Sequence, residues 1–365
     1  MHQRWWHAAL HALVLILAAI ALLEWLLGTC GVGQQEFAQP DAELGRRHIP
    51  GKLVTWRLEG YSSDHLNSAG LRDVEHKLEK LPGVTRIALL GDSSTEGMQV
   101  PLAKTYARVL NSALDAEHPG KFEVINFGCS GYSTGQELIQ LEKDVVGYAP
   151  DITVLLYNRG DALENVRNPL KKNVEPRPYF YLDEDGRLRE DATLLAQRQQ
   201  GLLPEQLWAF LREHSHIFGV FSQTDLSLSI HERLYRKLRS WVLRLASLLA
   251  PRSGATGAVA AYRPQDGWQV TCALIEAMNQ ECRKHHSRFV LLCFPNLLGD
   301  PELSRQRADL EVRSRNRRFA FLDLTPGFAN HPDPGSLFLQ YHFSTAGHHL
   351  VAEQLRQLLA AEHLI

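Results

Sequence analysis

Ser93 and His342 are the residues of this 365-residue chain whose surroundings suit them to nucleophilic chemistry. The apolar run Val84 to Leu90 stops abruptly at Gly91-Asp92-Ser93-Ser94-Thr95-Glu96-Gly97, a small-residue turn carrying hydroxyls. A buried parallel strand reads as such a run, and in open α/β sheets the ligand crevice lies beyond the carboxyl ends of the strands. Ser93 therefore stands either where a nucleophile would stand or where a helix cap would. Near the other end, His342 precedes a helical pattern with Val351, Leu355, Leu358 and Leu359 on one face, and Ser344 is placed to cap that helix. An imidazole is the side chain whose ordinary pKa suits it to take a serine proton near neutral pH.

With these residues the chain resembles the SGNH, or GDSL-like, hydrolase family. The Gly-Asp-Ser that ends the family's first strand matches Gly91-Asp92-Ser93, and its final His, followed five residues later by Gly, matches His342 and Gly347. The run Val124 to Thr134 is similar to the second block, a strand ending in Asn126 with a glycine five residues on. The resemblance thus assigns an oxyanion-binding backbone N–H to Gly131. The third block reads Leu156-Tyr157-Asn158-Arg159-Gly160-Asp161, where the family shows Gly-x-Asn-Asp. Counting from the strand puts Asn158 in the oxyanion position, and counting back from Asp161 puts Gly160 there. Asn158 is preferred because only it offers a side-chain donor, and losing one such donor costs about 100- to 1,000-fold in turnover. The last block departs from the family at Leu339, where an Asp normally orients the histidine. A main-chain carbonyl, Asp333 or Asp323 would have to serve instead.

These residues must be brought to one edge by a common scaffold. Apolar runs at Val84 to Leu90, Phe122 to Ile125, Ile152 to Leu156, Phe289 to Cys293 and Phe319 to Leu322 alternate with helical patterns such as Leu102, Tyr106, Val109, Leu110, Ala113 and Leu114. Alternation of this kind predicts a parallel sheet covered by helices on both faces. The expected fold is a flavodoxin-like three-layer α/β/α sandwich with a helical insertion, and Ser93, Gly131, Asn158 and His342 would converge on the carboxyl edge of its sheet.

The chain divides into an apolar segment over residues 1–30, a linker and extension over 31–83, and the hydrolase-like domain over 84–365 with an insertion at about 167–262. From Ala8 to Leu27 only His11 and Glu24 interrupt the apolar character, with Trp5, Trp6 and Trp25 at the ends, enough for a membrane-spanning helix. A cleaved signal segment remains the alternative, and Leu27-Gly28-Thr29-Cys30 loosely resembles a lipoprotein cleavage box. The insertion opens with a hairpin over Arg177 to Leu182 and a turn at Asp185-Gly186. Two helices should follow, the second a basic amphipathic one from Glu232 to Leu249 that forms a lid or lies on a membrane, with a flexible loop at Gly254 to Ala258.

The net charge of −2 carries no basic stripe of the kind nucleic acids need. The five cysteines, Cys30, Cys129, Cys272, Cys282 and Cys293, have no disulfide spacing; Cys272 and Cys282 would lie roughly 15 Å apart on one helix. The histidine pairs 214/216, 285/286 and 348/349 lack carboxylate or cysteine ligands at a recognisable spacing, so neither metal nor cofactor is expected. The resemblance implies a serine esterase acting on O-acyl esters of cell-envelope carbohydrate or lipid, outside the cytoplasm and anchored by its N-terminal helix. An O-acyltransferase relative, or a non-catalytic carbohydrate-binding protein on a decayed scaffold, is the alternative. Oligomeric state is not legible.

Overall fold

The computed structural model describes residues 2–30, 32, 37–57, 59–168, 175–199, 215–222 and 267–365. The chain forms two compact units. One comprises Met1–Phe37 with Gln200–Ala258, the other Ala38–Gln199 with Val259–Ile365.

The larger unit begins with two small antiparallel hairpins, β1 (Ala38–Asp41) with β2 (Gly45–His48) and β3 (Leu53–Trp56) with β4 (Ser62–His65). Strands β5 (Thr85–Gly91), β6 (Phe122–Asn126) and β7 (Ile152–Tyr157) follow, then a hairpin of β8 (Tyr179–Leu182) and β9 (Leu188–Asp191), and finally β10 (Arg288–Cys293) and β11 (Ala320–Asp323). Five of these pair in parallel in the order β11-β10-β7-β5-β6. Numbered within the sheet alone, that is the flavodoxin-like order 2-1-3-4-5. All five expected strands are present, displaced by a residue or so at their ends.

Strand periodicity explains the two helical layers. Side chains alternate across a strand, so Ala88 and Leu90 of β5 face one side with Ile125 and Leu291, packing under helices Thr134–Lys143 and Gly267–Lys284. Ile87 and Leu89 face the other side with Val124, Val154 and Leu292, against helices Tyr106–Glu117 and Thr345–Ala361. The stripe Val351, Leu355 and Leu359 of the last helix is fully buried, each side chain contributing about 1.5–3 kcal/mol. Leu102 belongs instead to a separate 3-10 turn, Leu102–Lys104, because Pro101 and Thr105 interrupt the chain and Thr105 caps the helix proper.

The segment from Ala38 onward belongs to this unit. Arg72, 1 % exposed, pins it. Its guanidinium donates to the carbonyls of Glu96, Gly97 and Val100 and pairs with Asp64, so the extension is bound to the turn that follows β5.

The smaller unit contains the helix His2–Thr29 and the short helix His216–Ser222. His7–Thr29 is long and apolar enough to cross a bilayer, a property shared by anchors and signal segments. Its Leu13, Leu15 and Trp25 side chains are exposed. The expected amphipathic helix Glu232 to Leu249 and the loop Gly254 to Ala258 lie outside the described residues. All five cysteines are free thiols, four of them buried.

Candidate active site

Ser93 opens the short helix Ser93–Glu96 at the carboxyl end of β5, and Asp92, not Ser93, is its cap. Asp92 Oδ1 accepts from the Ser94 N–H at 2.8 Å. The capping role is thereby filled, and the Ser93 hydroxyl is left for other work. The turn needs glycine at position 91, where φ is +153° and a Cβ would fall 2.0 Å from Thr95 Oγ1.

His342 lies on a loop closed by the bridge between Phe338 and Phe343 and by the Leu339 N–H donating to the His342 carbonyl at 2.9 Å. Ser344 caps the following helix as expected, accepting from Gly347 N–H. The ring is fixed at both nitrogens. Nε2 is 2.8 Å from Ser93 Oγ and Nδ1 is 3.0 Å from Glu59 Oε2. A carboxylate can only accept, so Nδ1 carries the proton, and unprotonated Nε2 accepts from the serine hydroxyl. This is the tautomer a general base requires.

The partner of His342 is therefore Glu59, and the three candidates read from the sequence are corrected. Asp323 accepts from the N–H and hydroxyl of Thr325 and pairs with Arg307. Asp333 caps a 3-10 turn through Ser336 N–H. Neither reaches the imidazole, and no main-chain carbonyl takes its place. Burial works to raise the Glu59 carboxyl, but hydrogen bonds from His342 and from the Tyr341 N–H outweigh it and hold the group below the ordinary carboxylate range. Glu59 sits at φ +59°, a left-handed conformation uncommon for a side-chain-bearing residue. Gly60, next to it, leaves no room for a Cβ, which would come 2.1 Å from the Gln99 carbonyl and 3.1 Å from Leu339 Cδ1. Leu339 thus packs beside the segment that delivers Glu59.

Asn158 follows β7 directly, and its Nδ2 donates to Asp92 Oδ2 at 3.0 Å. One of its two amide N–H groups is engaged and the other is available. Gly160, the alternative register, precedes the helix Asp161–Glu164 and offers no side chain. Burial raises the Asp92 carboxyl, partly offset by bonds from Ser94 and Asn158.

Gly131 lies at φ +72°, in a loop tied to the helix that Ser93 opens. Gly128 presses so closely on that helix that a Cβ would meet Glu96 N at 2.4 Å. Asn126 Nδ2 donates to the Thr95 carbonyl, and Ser130 donates through N–H and hydroxyl to Glu96 Oε2. Glu96 is fully buried and pairs with His48 of β2 at 2.9 Å. Burial opposes both charges, yet attraction to His48 leaves the Glu96 carboxyl lowered, and Cys129 together with Glu96 leaves the His48 imidazole raised. The extension, the Gly128–Gly131 loop and the serine turn are thus one connected network.

His348 is structural. Its Nδ1 accepts from Tyr106 N–H at 3.2 Å, and burial lowers its pKa to about 3.

No known family model matches the chain. An arylesterase of Vibrio mimicus is 33% identical over 78 residues, which are 21% of this chain and 38% of that protein's length. Solved structures similar to the chain include TesA, 12% identical, covering 75% of this chain and 98% of that one at a TM-score of 0.41. Another is the acetylxylan esterase Axe2 of Geobacillus stearothermophilus, in a catalytic mutant, 14% identical over 77% of this chain and 96% of that one at a TM-score of 0.41. A lipolytic protein of the G-D-S-L family from Desulfitobacterium hafniense is 14% identical over 75% and 99% at a TM-score of 0.40.

Proposed function

We propose that the chain is an SGNH-type serine esterase that hydrolyses O-acyl esters, its carbohydrate or lipid substrate lying outside the cytoplasm and its N-terminal helix serving as a membrane anchor. The observation that carries the reading is the hydrogen-bonded series Ser93 Oγ, His342 Nε2, His342 Nδ1, Glu59 Oε2, at 2.8 and 3.0 Å.

In this reading Ser93 Oγ attacks the acyl carbonyl while its proton passes to His342 Nε2, and Glu59 stabilises the imidazolium that forms. The carbonyl oxygen takes up negative charge and is held by the N–H groups of Ser93 and Gly131 and by the second amide N–H of Asn158. Collapse of the tetrahedral intermediate breaks the ester C–O bond, and His342 returns the proton to the departing alcohol. Water then repeats the sequence on the acyl-serine, releasing a carboxylic acid and regenerating the hydroxyl. The alternative of a decayed, non-catalytic scaffold rests on Leu339 and on the irregular third block at Asn158-Arg159-Gly160-Asp161; the carboxylate of Glu59 on His342 Nδ1 speaks against the first of these.

Turnover of p-nitrophenyl acetate by the full-length protein in detergent tests the reading. Ser93→Ala and His342→Ala should each lower kcat by at least about 10,000-fold, and hydrolysis that persists unchanged in either variant would refute it.

A further inference from the structure

Arg46 of β2 is exposed, and one of its guanidinium nitrogens lies 2.5 Å from where a Cβ on Gly131 would be. Most arginines of the same unit are committed: Arg47, Arg72, Arg86 and Arg108 each hold a carboxylate. Among the described residues Arg46 has no carboxylate partner. A guanidinium is built to take a carboxylate through paired N–H donors, and here it is set against the glycine assigned to the oxyanion.

Exposed aromatic rings flank the Glu59–His342 pair in the chain. Tyr341, adjacent to His342, is 70 % exposed, and Tyr61, two residues from Glu59, is 58 % exposed. Tyrosine joins an apolar ring face to a polar tip, which suits the flat C–H face and hydroxyl rim of a pyranose. Arg57, also exposed, stands 5.7 Å from the Tyr61 ring centroid and has no carboxylate partner among the described residues.

We propose that the ester is borne on an acidic carbohydrate, with Arg46 holding a ring carboxylate beside Gly131 while a sugar stacks on Tyr341 or Tyr61. This rests on the esterase reading, of which it specifies the substrate. Arg46 is then a specificity-determining residue.

The test compares acetylated oligogalacturonate with acetylated xylo-oligosaccharide of equal length, using the full-length protein in detergent. The acidic ester should be preferred about tenfold or more in kcat/KM. Arg46→Gln should lower the ratio of acidic to neutral kcat/KM about tenfold, which is about 1.4 kcal/mol, and salt at about 0.5 M should do the same. A second arm needs no turnover: calorimetric titration of Ser93→Ala protein with deacetylated oligogalacturonate, with and without Arg46→Gln. Binding weakened about tenfold by Arg46→Gln supports an acidic-carbohydrate site at Arg46, while the esterase reading is judged separately by turnover of p-nitrophenyl acetate. Hydrolysis of both esters with an unaltered ratio, or binding indifferent to Arg46, overturns the proposal and leaves the esterase reading standing.

Discussion

Glu59 and His342 are 283 positions apart in the chain and 3.0 Å apart in space. The acid beside the histidine comes from the N-terminal extension, while the position three residues before His342 holds Leu339. In the serine-protease template, replacing the orienting carboxylate by its amide lowers kcat about ten-thousand-fold. Glu59→Gln should therefore lower kcat by about 1,000- to 10,000-fold with little change in KM. Leu339→Asp, introduced into Glu59→Ala protein, should restore part of that loss by placing a carboxylate in the same loop as the imidazole. Steady-state kinetics on p-nitrophenyl acetate decide it; full activity in Glu59→Gln would remove Glu59 from the mechanism.

Asn158 is held toward the serine turn through Asp92 Oδ2. If its free N–H receives the oxyanion, Asn158→Ala should lower kcat about 100- to 1,000-fold. The KM for a small ester should move by less than about threefold, because the interaction develops only as the carbonyl becomes tetrahedral. A change confined to KM would assign Asn158 to ground-state binding.

Acid should destabilise the fold through His348. Burial lowers its pKa from 6.5 to about 3 in the folded protein. The unfolded chain takes up a proton below pH 6.5 and the folded one does not, so its contribution is complete above pH 6.5 and lost as pH falls from there toward 3. The slope is about 1.4 kcal/mol per pH unit for one proton. Glu96 and Glu59, whose carboxyls are lowered, add acid losses only below about their ordinary value of 4.5. His48, which is raised, loses its contribution as pH climbs above 6.5. Burial raises the carboxyls of Asp92, Glu137 and Asp161, which take up protons in the folded state and oppose the His348 loss as pH falls. Urea unfolding between pH 6.5 and 4.5 therefore reads His348 as the difference between the wild type and His348→Gln, which keeps an acceptor for Tyr106 N–H and should remove the His348 share of the slope. An identical slope in both proteins would contradict the assignment.

The sheet was legible because its inner strands β5, β7 and β10 are buried on both faces and so written as continuous apolar runs, as in Ile87-Ala88-Leu89-Leu90 or Val290-Leu291-Leu292, while the edge strand β11 is only half-buried. Ser93, Gly131, Asn158 and His342 could be nominated from the sequence because the blocks of the family it resembles place such residues after a strand or before a helix. Glu59 could not. Its neighbourhood consists of four-residue hairpin strands such as Ser62-Ser63-Asp64-His65, held by Arg72 and the His48–Glu96 pair rather than by a periodic apolar face. Polar contacts between distant residues leave no periodicity to read. The available signal was indirect: Leu339 announced that an acid was missing, and Glu59-Gly60 before a short polar strand was one of several places it could come from.

In the proposed mechanism Ser93 is an activated nucleophile. Fluorophosphonate labelling of the folded full-length protein, with the adduct located by peptide mass spectrometry, tests it most directly. The account predicts a single adduct on Ser93 in the wild type, loss of labelling in Ser93→Ala and labelling slowed by at least about 100-fold in His342→Ala. A folded wild type that does not react, or one whose Ser93→Ala variant reacts equally well, would contradict it.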